Sequence, residues 1–151
     1  MDAITSLFES FDLAASIPQT DEILETVIKF SKIVVLIGPI LLLVLGLIYL
    51  FLSPREANHR IGFRTWFGMG SVAAWRYTQR LAGIVWGALG LILTIVMLIL
   101  RGRMVQLEPL EMLSTAITYL LWQAGAALLS YIGICLTVTL SFDRKGNRRR
   151  R

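Results

Sequence analysis

The chain has 151 residues, of which 56% are hydrophobic and 17% are charged, and its formal net charge is +5. A soluble domain usually has roughly 45–50% apolar residues, so the composition argues against an ordinary soluble protein. Residues 33–52, 81–100 and 115–142 carry no charge, and each run has about the 20 residues that a helix needs to cross the hydrocarbon core. We therefore predict one all-α integral membrane domain with three transmembrane helices, since continuous apolar runs exclude a β-barrel.

The segment before the first run has its own pattern. Four apolar residues recur at helical spacing: Ile4, Leu7, Phe8 and Phe11. They predict an N-terminal amphipathic helix at the membrane interface, which Pro18 ends. The acidic character of this segment is unlike a signal peptide. We predict that Thr20 begins the first spanning helix.

Small and polar residues inside the runs predict how the helices pack. Pro39 is expected to kink the first helix. Gly83 and Gly87 form a Gly-x3-Gly pair, which lets another helix of the chain approach closely, so that a large side chain at Gly87 would force the helices apart. Gln123 is expected to face protein, because an amide in hydrocarbon needs a partner. The lone cysteine, Cys135, is read as a packing residue.

Positive charge alternates along the chain. The N-terminal 32 residues hold two lysines and six acids, and residues 101–113 hold two arginines and two acids. Five arginines occupy residues 53–80, which we call the arginine connector: Arg55, Arg60, Arg64, Arg76 and Arg80. The positive-inside rule then predicts an outside N-terminus and a cytoplasmic connector. The predicted organisation is an amphipathic segment at 1–20, a three-span membrane domain at 21–143 and a polybasic cytoplasmic tail at 144–151.

Within the arginine connector, Glu56 is the one acidic residue. Anionic lipid, worth roughly 1 kcal/mol per basic residue, or an acidic partner or peptide is expected to supply the missing negative charge. Ser71 is predicted to cap a helix that brings Arg76 and Arg80 to one face. Trp75 is expected at the headgroup level, where it could stack on a guanidinium. Composition alone also fits a simple orientation signal with an aromatic belt.

The order of residues in the connector is more specific than its composition. Asn58 is followed by Gly62-x-Arg64-Thr65 and then by Ser71, Trp75, Arg80 and Gly83. This order resembles the signature of the SdpI/YfhL family of small bacterial membrane proteins, which is named for an immunity protein against a self-secreted peptide toxin. The resemblance covers about residues 53–140, in motif and in span order, although Val72, Ala73 and Ala74 stand where the family often has an acidic residue. It implies a multi-pass protein of the bacterial cell membrane. The motif and binding residues that it implies are Asn58, Gly62, Arg64, Thr65, Trp75 and Arg80.

Two functions stay open at this point. The first is immunity, in which the protein binds a membrane-active peptide toxin or blocks its damage. The alternative is a structural or adaptor subunit of a larger membrane complex, whose basic connector docks an acidic partner or anionic lipid. No enzyme, cofactor or metal site is predicted, because His59 is the sole histidine and no acidic residue lies within a predicted transmembrane span. We expect no nucleic-acid partner, since the basic tail meets anionic lipid first, and the oligomeric state stays open.

Overall fold

The protein is described by a computed structural model over residues 20–54, 56–57 and 61–149. Helix α1 spans Thr20–Leu47 and continues into a π-helical turn at Ile48–Leu52; α2 spans Val72–Met104, and α3 spans Pro109–Ser141. The described part of the chain is all-helical and contains no β-strand, which confirms the all-α part of the predicted fold class. The predicted amphipathic helix lies outside the described residues, apart from Thr20, which begins α1.

Within the described residues, three stretches are long and apolar enough to cross a membrane: Glu22–Leu52, Val72–Met104 and Pro109–Ser141. This architecture is compatible with a multi-pass membrane protein. Helices α2 and α3 have 33 residues each, or about 50 Å at 1.5 Å per residue, so both extend beyond a hydrocarbon core of roughly 30 Å. The end of α1, the start of α2 and the end of α3 lie together at one end of the bundle, which we call the connector end.

Two apolar clusters hold the bundle, one near each end. The cluster at the connector end contains Phe63, Ala74, Ala82, Ile134, Val138 and Phe142. The opposite cluster contains Val35, Met97, Met104, Met112 and Ala116. Helices α2 and α3 contribute residues to both clusters, so these two helices are anchored to each other at separated points along their length.

The closest helix contact is between α1 and α2, where glycines let the backbones meet. A Cβ added at Gly46 would overlap the backbone of Gly87, and one added at Gly90 would overlap the backbone of Leu43. A Cβ at Gly83 would lie 3.0 Å from the carbonyl oxygen of Gly46. The predicted pair Gly83 and Gly87 thus packs within the chain. At Gly87 itself an added Cβ would meet no atom within 4 Å, so alanine fits there, and the clash expected for a larger side chain stays a prediction.

A proline in α1 and a glutamine in α3 compensate for each other. Pro39 is fully buried inside α1, and it lacks the N–H that a helix would offer to the carbonyl of Val35. Gln123 supplies this donor from α3, with its Nε2 donating to the Val35 oxygen at 2.9 Å. Gln123 is only 4% exposed, which confirms that it faces protein.

We expect Gln123→Leu to lower the free energy of unfolding by about 1 kcal/mol, because the carbonyl of Val35 loses its donor. The loss should shrink in a Pro39→Ala background, where residue 39 regains an N–H. Thermal unfolding of the parent, the two single variants and the double variant in detergent measures this coupling. An equal loss in both backgrounds would show that the amide does not compensate for the proline.

Candidate functional site

A buried glutamine in α2 clamps the part of the arginine connector that precedes α2 onto this helix. The backbone N–H of Phe63 donates to Oε1 of Gln79 at 2.8 Å, and Nε2 of Gln79 donates to the Phe63 carbonyl at 2.8 Å. Gln79 and Phe63 are both 3% exposed. The side-chain amide therefore pairs with the connector backbone as a second strand would, and it fixes the chain beside Arg64.

A tryptophan holds a second point of the connector. Trp75 is fully buried, and its Nε1 donates to the carbonyl of Pro54 at 2.9 Å. Gly62 covers the ring, since a Cβ added there would lie 2.5 and 2.6 Å from two of its carbon atoms. The ring of Trp75 is fully enclosed by protein, whereas Trp66 is 80% exposed. The expected depth of Trp75 at the headgroup level stays a prediction.

Hydroxyl groups shape the turn between these two points. Oγ1 of Thr65 accepts from the N–H of Gly68 at 2.9 Å. Ser71 caps α2 as predicted, because its Oγ accepts from the N–H of Ala74 at 3.1 Å. The same hydroxyl donates to the carbonyl of Gly146 at 2.7 Å, so the cap also ties the C-terminal segment to the connector.

Phe63 joins the connector to all three helices. Its ring centre lies 6.1 Å from that of Tyr49 after α1, 5.2 Å from that of Trp86 in α2 and 5.3 Å from that of Tyr131 in α3. Aromatic pairs at such distances add about 0.5–1.5 kcal/mol beyond burial. The connector is therefore a folded layer across the bundle end.

The C-terminal segment folds back onto this layer. Phe142 and Arg148 form an antiparallel bridge, and Gly146 makes the turn with a φ of 75°. Oδ1 of Asp143 accepts from the backbone N–H groups of Asn147 at 2.8 Å and Lys145 at 2.9 Å. These bonds, that from Asn147 above all, lower the pKa of Asp143. The described part of the predicted tail is thus a turn docked on the connector, with exposed basic side chains.

Three connector arginines, Arg64, Arg76 and Arg80, are exposed at the connector end. Arg64 interacts electrostatically with Tyr49. Arg76 and Arg80 line an open cavity of about 510 Å³, whose other lining residues are Tyr49, Leu50, Ser53, Pro54 and Gln79. Neither Arg76 nor Arg80 forms an ion pair with any residue that the structure describes. The cavity can therefore receive a carboxylate or phosphate group.

The predicted motif divides into two groups in the structure. Gly62, Thr65 and Trp75 fold the connector, whereas Arg64 and Arg80 point to its surface; Asn58 lies outside the described residues. Sequence reasoning missed Gln79, although its position one turn after Trp75 places both on one helix face. Among the described residues, no group of three or more His, Cys, Asp or Glu could hold a metal ion. Searches of family models, curated proteins and solved structures find no match to this chain.

Proposed function

We propose that the protein protects a bacterial membrane against a membrane-active peptide toxin, as the resemblance to the SdpI/YfhL family implies. One observation supports the proposal: a connector fixed by Gln79 and Trp75 presents exposed arginines. Arginine grips a carboxylate through two parallel hydrogen bonds. A fixed backbone lowers the ordering cost of such binding.

The ligand group on the toxin would be an acidic one. A peptide inserted in the bilayer places its terminal carboxylate or acidic side chains at the membrane surface, where the arginine connector lies. Binding of that group by Arg64 and Arg80 would hold the peptide against the protein and away from other peptide copies. A positive field over the site also speeds the encounter with an acidic ligand.

The connector end is proposed to face the cytoplasm. Residues 53–80 and 142–151 together carry eleven of the fifteen lysines and arginines and two of the ten acidic residues. Basic residues accumulate on the cytoplasmic side of bacterial membrane proteins. The N-terminus of α1 then lies outside, and the chain is a multi-pass protein of the cell membrane.

We expect Arg64→Lys and Arg80→Lys each to reduce protection about tenfold in the toxin concentration that stops growth, because lysine lacks the bidentate fork. Membrane level and orientation should stay unchanged, since both depend on charge. The assay is expression in a toxin-sensitive cell, challenged with candidate peptide toxins.

Arg103→Lys, at the far end of α2, is the matched control and should protect fully. Orientation is scored by an impermeant thiol reagent on Lys145→Cys in a Cys135→Ser background, with labelling expected only in permeabilised cells. Full protection by both connector variants would reduce these arginines to an orientation signal. The adaptor function would then become the better account.

A further inference from the structure

Arg76 and Arg80 separate two recesses of different character. On one side is the cavity described above, which contains the polar side chains of Tyr49, Ser53 and Gln79. On the other side is a groove of about 510 Å³ whose lining is mostly apolar. Besides the two arginines, this groove is lined by Ala73, Tyr77, Leu81 and Ile84.

The groove follows from the helix period. Arg76, Arg80 and Ile84 form one row of α2 at four-residue spacing, and Ala73, Tyr77 and Leu81 form the adjacent row. The channel between the rows therefore runs along the helix, from the arginines toward the middle of the span.

We propose that this arrangement binds one anionic phospholipid. The phosphate occupies the polar cavity beside Arg76 and Arg80, and an acyl chain lies along the apolar groove. The inference goes beyond the proposed function, because it concerns a lipid site that is occupied when no toxin is present.

The depth of the arginines matches the depth of a lipid phosphate. Residues 81–100 are uncharged between Arg80 and Arg101, and this separation is about 30 Å along a helix, close to the thickness of the hydrocarbon core. Arg80 therefore lies where the core ends. Arg76, four residues away, lies about 6 Å farther into the headgroup layer, and Ile84 lies about 6 Å inside the core.

The donors of the cavity also fit a phosphate. Arg76 and Arg80 are exposed and form no ion pair in the described part of the chain, so their five-donor forks can bind phosphate oxygens. Oγ of Ser53 is buried and has no hydrogen-bond partner among the described residues. A buried hydroxyl without a partner is unfavourable, and a phosphate oxygen would accept a hydrogen bond from it. Gln79 forms part of the cavity wall but is not expected to bind the phosphate, because its side-chain amide is already hydrogen-bonded to the backbone of Phe63.

The adjacent apolar groove distinguishes a lipid from a free anion. Inorganic phosphate would use the polar cavity alone and would gain nothing from Tyr77, Leu81 or Ile84. A phospholipid uses both recesses, since its phosphate and acyl chains meet at the same depth as the two arginines. Each basic residue near an anionic membrane surface contributes about 1 kcal/mol even without a shaped site, so specificity has to be tested against other arginines of the chain.

The test is thermal unfolding of the purified full-length protein in detergent. It is titrated separately with phosphatidylglycerol, with phosphatidylcholine of the same acyl chains and with inorganic phosphate. A ligand that binds the folded state raises the melting temperature, by an amount that grows with the logarithm of its concentration relative to its dissociation constant. We expect phosphatidylglycerol to raise it at concentrations where the other two do not. Arg76→Gln and Arg80→Gln should each weaken the apparent affinity about tenfold.

Arg103→Gln, with the same charge change on an exposed side chain at the other end of α2, should keep the parental affinity. Ser53→Ala gives a second test that leaves charge unchanged: native mass spectrometry should show less phosphatidylglycerol retained. Equal stabilisation by phosphatidylcholine, equal stabilisation by inorganic phosphate, or an equal loss in Arg103→Gln would each overturn the lipid site. None of these readouts involves toxin, so a failure here is distinct from a failure of the proposed function.

Discussion

Gly46→Leu should strongly destabilise the helical bundle, with a fall in the melting temperature in detergent. A side chain at this position would overlap the backbone of Gly87 and the carbonyl carbon of Trp86. Overpacking of a core typically costs about 1–3 kcal/mol. The cost here should reach or exceed the upper value, because the obstacle is main chain of a second helix and cannot move as a side chain does.

Two alanine variants on α2 provide the control. Gly90→Ala should also destabilise, since its Cβ would overlap the backbone of Leu43. Gly87→Ala should not, because its Cβ would meet no atom within 4 Å, and alanine is favoured over glycine in a helix by up to about 1 kcal/mol. Equal melting temperatures for Gly87→Ala and Gly90→Ala, or an unchanged one for Gly46→Leu, would contradict the close approach.

The helices themselves could be predicted from the sequence because their determinants are local. Length and absence of charge identify each span, and the capping preference of threonine gives the start of α1 at Thr20. Ser71 was recognisable as a cap because a serine oxygen can reach an N–H three residues later without help from the rest of the fold. Gln123 could be assigned to the interior because hydrocarbon offers an amide no partner.

Contacts between helices were harder to predict. The Gly-x3-Gly spacing identified the packing surface of α2, but it did not show that Gly46 is the partner or that a Cβ at Gly87 is free. That distinction depends on the rotation of α1 relative to α2, which no local pattern contains. The bond between Gln123 and Val35 joins residues 88 positions apart, so the sequence predicted the need for a partner without identifying it.

In the candidate site, too, local features could be predicted from the sequence, whereas contacts between distant residues could not. A tryptophan near a membrane surface commonly lies in the aromatic belt, and only tertiary structure places the Pro54 carbonyl and Gly62 around Trp75. The tail was read from its charge as a basic extension. The turn at Gly146 depends instead on Asp143, whose carboxylate organises the next four residues, and on Ser71 in a different segment. Charge composition predicted which segment contains the exposed arginines. The hydrogen bonds to buried side chains, which fix the backbone of that segment, could not be predicted from it.

Gly62→Ala should open the arginine connector and abolish both toxin protection and the protease resistance of this segment. Gly62 has a φ of 134°, where a side chain is strained by about 1–3 kcal/mol, and the new methyl group would overlap the ring of Trp75. Relief of this strain and overlap requires the part of the connector that precedes α2 to move away from the helix. This movement breaks the two hydrogen bonds between Gln79 and Phe63. Arg64 then loses its fixed backbone, and trypsin should cleave after it at least about tenfold faster, since each 1.4 kcal/mol changes the open population tenfold.

Limited trypsin digestion with mass identification of the fragments measures this opening directly. Gly102→Ala is the matched control, because the same substitution in α2 meets no atom within 4 Å and lies beside Arg101 and Arg103, which trypsin also recognises. Cleavage after Arg64 should stay slow in that variant. Parental cleavage rates in Gly62→Ala would mean that the connector tolerates a side chain over Trp75. The glycine of the motif would then have no structural role in presenting Arg64 and Arg80.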